Sequence, residues 1–99
     1  MSFVTTQPEA LAASAAELQS IGTSVDSGNT AAAGPTSGVV SPAADEVSAL
    51  MALQFAAHAG LYQAVSAEAA AIHQQLVEAL ATSSGSYAAT EAANAVAAR

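Results

Sequence analysis

Between Pro42 and about Ser83 the chain carries one long helical pattern whose apolar side is too wide for a single neighbouring helix to cover. At 3.6 residues per turn, Val47, Leu50, Met51, Phe55, Leu61, Tyr62, Val65, Ile72, Leu76, Val77 and Leu80 fall within a sector roughly 180° wide. One packed helix needs a stripe of about 100°, so the surplus predicts a second neighbour, supplied by another copy or another protein. The back of the same helix carries Ala49, Ala52, Ala56, Ala59, Gly60, Ala67, Ala70 and Ala71. These residues are small enough for close helix approach or for plain solvent exposure, and exposure is the expectation, because helix propensity alone accounts for surface alanine.

Composition supports helices that need company. The 99 residues suit one domain, and much of the 53% hydrophobic content is alanine, which favours the helix but contributes little area to a core. Eight acids stand against a single base, Arg99, for a net charge of -7. Phosphate recognition needs clustered Lys and Arg, so nucleic acid and anionic lipid are excluded as partners, and the acids read as a solubilising surface. There is no cysteine, hence neither disulfides nor thiolate metal sites. The segment Met1-Ser2-Phe3-Val4-Thr5-Thr6 has no basic region followed by an apolar run, so no Sec signal peptide is expected. Ser48, Gln54, His58, Gln63, Ser66 and Glu68 interrupt the long helix, so no membrane span is expected either. The absence of Lys and Arg beside the apolar sector argues for burial against protein over a lipid interface.

The rest of the chain reads as a partner for this helix. Thr6-Gln7-Pro8-Glu9 predicts a helix start with Thr6 as cap, Pro8 in the first turn and Glu9 completing a capping box. Leu11, Leu18, Ile21 and Val25 form a stripe one neighbour wide, flanked by Ala15 and Gly22, and this first helix is expected to end between Asp26 and Gly34. Gly34-Pro35-Thr36-Ser37-Gly38 is the strongest turn signal. Ser41 is expected to cap the second helix, with Pro42 as its first residue and Asp45 and Glu46 in its first turn. Ser83-Ser84-Gly85-Ser86 is expected to end it, Gly85 adopting a left-handed cap. The alanine-rich remainder to Arg99 has few apolar anchors beyond Tyr87 and Val96, and marginal order is expected there.

Catalytic constellations are missing. His58 and His73 are about 22 Å apart on one helix and have no Asp, Glu or second His three or four positions away, so they read as structural residues of the apolar sector. No nucleophile elbow, phosphate-binding loop or dinucleotide fingerprint occurs. The expected function is therefore interaction without catalysis, metal or cofactor.

Several stretches together resemble a known family: Met1-Ser2-Phe3-Val4 with Pro8-Glu9, the run Val39-Val40-Ser41-Pro42-Ala43-Ala44-Asp45-Glu46-Val47-Ser48, and Ser83-Ser84-Gly85-Ser86-Tyr87-Ala88-Ala89-Thr90-Glu91. Over its whole length the chain is similar to short mycobacterial PE proteins that lack a C-terminal extension, with Pro8 and Glu9 as the family motif. The resemblance implies an all-α fold, an antiparallel two-helix hairpin over residues 1–86 that completes a four-helix bundle with a PPE-family protein, followed by a tail at 87–99. It implies assembly in the cytosol, a chaperone that binds through the PPE subunit, and export by the type VII secretion machinery, most similar to its ESX-5 branch, to the cell envelope or exterior. Tyr87 and Glu91 match the family's Tyr-x-x-x-Asp/Glu export signal. At i and i+4 they would share one face of a helix, and they are expected to contribute little to folding. Ser41 departs from the family by standing where many relatives have a second proline.

The partner interface is expected at Val47, Leu50, Met51, Phe55, Leu61, Tyr62, Val65, Ile72 and Leu76, with Phe55, Tyr62 and Val65 at its energetic centre. How those positions divide between the first helix and the partner is left open by periodicity. The alternative reading is a homodimeric secreted hairpin of the WXG100 type, against which the absence of tryptophan counts.

Overall fold

A chain of strong helix formers with one proline-initiated start and one glycine- and proline-rich break folds into two helices. The computed structural model describes residues 4–99 and places α1 at Pro8–Ser37 and α2 at Glu46–Ala97, paired as a hairpin. Met1, Ser2 and Phe3, part of the family-like start, lie outside the described residues.

Each helix differs from expectation at its ends. Pro8 does open α1, where its missing N–H has no intrahelical partner to lose. Thr6, however, is not the cap: the Gln7 carbonyl accepts the amides of Ala10 and Leu11, and the Thr6 hydroxyl is committed elsewhere in the fold. At the other end α1 runs through Gly34 and Pro35 to Ser37. Proline removes one backbone bond there, but the Thr36 hydroxyl donates to the Ala32 carbonyl at 2.6 Å and Ser37 donates to Ala33 at 2.5 Å, satisfying carbonyls of the last turns. Gly38 follows, donating its amide to Gly34; a Cβ at 38 would stand 3.1 Å from that carbonyl oxygen, so the close approach favours glycine.

The N-terminus of α2 is shifted inward. Ser41-Pro42-Ala43-Ala44 is a bend, in which the Ser41 hydroxyl donates to the Ala43 carbonyl at 2.6 Å. Asp45 takes the capping role instead: one carboxylate oxygen accepts the Ser48 amide at 3.1 Å and the other the Ser48 hydroxyl at 2.6 Å. Those bonds hold the Asp45 carboxyl below its usual pKa of 3.8, the hydroxyl contributing most and the amide next. An ionised carboxylate is a stronger acceptor than a serine oxygen and interacts favourably with the helix dipole, which explains the preference for Asp45 over Ser41. At the far end, Gly85 does not terminate α2, which continues to Ala97 with no positive φ among the described residues. The alanine-rich segment beyond it is helical because propensity outweighs one glycine.

The hairpin comprises two units. The turn unit spans residues 22–72 and, among the described residues, the terminal unit combines 4–21 and 73–99. Along α2 the partly or fully buried residues recur at alternating steps of four and three. From residue 52 to 84 the series is Ala52, Ala56, Ala59, Gln63, Ser66 and Ala70 in the turn unit, and His73, Val77, Leu80 and Ser84 in the terminal unit, with Ser48, Ser83 and Glu91 partly buried besides. This is a heptad seam of the coiled-coil kind, and α1 answers with Pro8, Leu11, Ala15 and Leu18 in the terminal unit. The core is accordingly small: among the described residues only Ala15, Ala59 and Val77 are buried hydrophobic side chains by strict measure. Expectation and structure part here, since Ala52, Ala56, Ala59 and Ala70 pack inward while Ala49, Gly60, Ala67 and Ala71 remain exposed. Small side chains let two helix backbones approach closely, which their use as mere surface filler would not require.

Candidate interaction surface

In the turn unit the large apolar side chains lie away from the seam, their mean direction roughly 130° around α2 from it. Val47, Leu50, Met51, Phe55, Leu61, Tyr62, Val65 and Ile72 are all exposed, Leu61 at 69% and Ile72 at 66%; in the terminal unit Leu76 is exposed too. Val77, the next residue, is 5% exposed. The nine positions singled out from the sequence thus stay accessible to solvent: in the turn unit α1 covers a small-residue edge of α2, whereas in the terminal unit Val77 and Leu80, from the apolar sector, turn towards the seam. So many large apolar side chains exposed along one side of a helix mark a candidate interaction site. Val25 in the turn unit and Ile21 in the terminal unit are exposed as well, so α1 adds apolar area of its own.

The border of this face is tied down by polar contacts. Within the turn unit the Tyr62 hydroxyl donates to Asn29 Oδ1 at 2.8 Å, and Gln63 Nε2 donates to the Asn29 backbone carbonyl at 2.9 Å. Tyr62 therefore belongs to both the outer face and the contact with α1. Beside it Phe55, Tyr62, Pro35, Val39 and Ala32 line an open cleft of about 410 Å³ that also receives His58. His58 is exposed, whereas His73 sits half-buried at the seam of the terminal unit, its Nε2 lying 2.6 Å from the Leu18 carbonyl. A carbonyl can only accept, so that ring nitrogen carries the proton. His73 is thus a structural residue of the hairpin, on the same side of α2 as Val77 and Leu80 of the apolar sector.

The terminal unit holds the two family motifs. Pro8 is buried and its carbonyl accepts the hydroxyl of Ser84, itself buried, at 2.7 Å; Glu9 is exposed. Tyr87 is 46% exposed on α2. Glu91, one turn further, is half-buried, and its Oε1 accepts both the backbone amide of Thr6 at 3.0 Å and the Thr6 hydroxyl at 2.9 Å. Sequence reasoning missed these contacts. Partners 76 and 85 positions apart leave no local signal. The 4-3 spacing of small residues along α2, by contrast, was available to find the seam.

Among the described residues no cluster of three or more His, Cys, Asp or Glu is placed to hold a metal ion, and no helix is long and apolar enough to cross a membrane.

The PE family profile matches residues 4–94. The PE family protein PE13 of Mycobacterium tuberculosis is 66% identical over 98 residues, covering 99% of this chain and 99% of PE13. The PE-PGRS family protein PE_PGRS33 of the same species is 58% identical over 95 residues, and PE_PGRS11 is 55% identical over 91 residues. Those alignments cover 96% and 92% of this chain but only 19% and 16% of the longer proteins. With the profile spanning nearly every residue and a short relative aligned end to end, the chain belongs to the PE family.

Proposed function

We propose that this chain is the non-enzymatic PE subunit of a PE/PPE heterodimer, assembled in the cytosol and exported through type VII secretion, in its ESX-5 branch, to the cell envelope or exterior. The observation that carries the reading is the exposed apolar face of α2 from Val47 to Ile72, left open by a hairpin that closes on small residues. A PPE hairpin laid on that face completes a four-helix bundle and covers it. The chain has a net charge of -7, with Arg99 as its one Lys or Arg residue, so like charge opposes a second copy on that face, and a partner with a basic rim is electrostatically favoured. Residues 1–86 act as the pairing module in this scheme. Residues 87–99 carry the export signal at Tyr87 and Glu91, and the cytosolic chaperone engages the PPE subunit.

Affinity purification of the tagged chain from mycobacterial cytosol tests the pairing. A PPE protein recovered in equimolar amount is the expected result; recovery of the chain with only itself supports the WXG100-like homodimer and overturns the reading. Export is tested separately by Tyr87→Ala, which should assemble normally and accumulate inside the cell. Normal secretion of that variant removes Tyr87 from the signal.

A further inference from the structure

Resting on that reading of the export motif, we infer that its two residues have different jobs: Glu91 is a positioning residue that locks the segment before α1 onto α2, and Tyr87 is the group that meets the export apparatus. The carboxylate does not stand free. Its Oε1 accepts two hydrogen bonds from Thr6, one from the backbone and one from the hydroxyl, and charge-assisted bonds of this kind are the strong ones. A second tether lies one heptad earlier on the same helix, where buried Ser84 donates to the carbonyl of Pro8. Both α2 residues thus hold the chain at its entry into α1. Val77, Ser84 and Glu91, seven residues apart in succession, line the inward side of α2, whereas Tyr87 keeps nearly half of its surface in water. A cation that took Glu91 Oε1 would compete with both Thr6 donors, while Tyr87 is accessible as it stands.

Thr6 was assigned by local pattern to capping α1, yet Gln7 provides the capping carbonyl and Thr6 is spent on Glu91. The pairing gives the acid a purpose that any good acceptor of the same reach fulfils. Negative charge in itself is secondary.

The test uses the full chain with its native partner in a mycobacterium, reading the exported fraction and, on the cytosolic complex, hydrogen exchange of the amides of residues 5–7 and the melting temperature. Glu91→Ala and Thr6→Pro, which removes both donors, should each cut export by at least about tenfold, the scale of one lost charged hydrogen bond, and raise exchange in this segment. Thr6→Val, which keeps the amide, should lie between these and the parent. Glu91→Gln keeps a neutral acceptor in place and should rescue most of the export, and Thr6→Ser should match the parent. Parental export of Thr6→Pro and Thr6→Val beside a retained Glu91→Ala overturns the inference. So does a retained Glu91→Gln whose Thr6 amide stays protected, because the charge would then be read directly. Normal export of both Tyr87→Ala and Glu91→Ala overturns the export reading itself, and this inference with it.

Discussion

The same substitution at two positions of α2 separates the hairpin seam from the outer face. Val65 is 64% exposed and Val77 is 5% exposed in the single chain. Val65→Asp puts a carboxylate where water already reaches, so the hairpin should change by no more than about 0.5 kcal/mol. Against a partner the same carboxylate loses its water. Burying the valine is worth at most about 1.5 to 3 kcal/mol, and an unpaired buried charge adds several more, so the complex should weaken by about 3 to 5 kcal/mol, or at least about a hundredfold in Kd. Val77→Asp acts earlier: it buries a charge in the hairpin and should loosen α1 from α2 before any partner is met. The assay is co-expression with the proposed PPE partner followed by affinity capture, with far-UV circular dichroism and hydrogen exchange on the chain. Expected are a folded Val65→Asp chain that no longer captures its partner and a Val77→Asp chain whose seam amides lose protection. Parental partner capture by Val65→Asp refutes the assignment of the outer face; an intact Val77→Asp hairpin refutes the assignment of the seam.

Three further outcomes follow from the geometry. Gly85 lies inside α2 and a Cβ there meets nothing within 4 Å, so Gly85→Ala should stabilise the helix by about 0.5 to 1 kcal/mol; a lowered melting temperature would mean a left-handed glycine after all. Asp45 has its folded pKa below 3.8, so its cap contributes above that pH and is lost as pH falls through the lowered value. Carbon chemical shifts of Val47–Ala49 should therefore keep helical values at pH 5 and drift towards coil in strong acid, and Asp45→Asn should flatten this dependence. The isolated chain, with Leu61, Val65, Ile72 and their neighbours wet, should self-associate in sedimentation and become monodisperse only with its partner; a clean monomer with a high cooperative melt would contradict this.

Much of the architecture was legible in the residues. Alanine-rich composition, Pro8 at a helix start and the wide apolar sector of the second helix pointed to a hairpin in want of a partner, because propensity and periodicity are local properties that a linear chain displays. The ends were less legible. Gly85 and Pro35 are punctuation marks in isolation, but a glycine costs a helix only about 1 kcal/mol and a proline in a last turn forfeits a single bond, and flanking helical context outweighs both. Asp45 displaced Ser41 as cap through a pair of bonds to Ser48 that the spacing permitted but did not rank. What only the tertiary structure decided is which side of α2 faces α1. Periodicity identifies an apolar face, yet association favours the closest approach of backbones as well as the largest apolar area. In the turn unit the seam of Ala52, Ala56, Ala59 and Ala70 permits that approach and leaves the bulky residues outside, while in the terminal unit Val77 and Leu80 enter it. The contact of Glu91 with Thr6 belongs to the same category, since a hydrogen bond across 85 positions exists only once two helices have chosen their register.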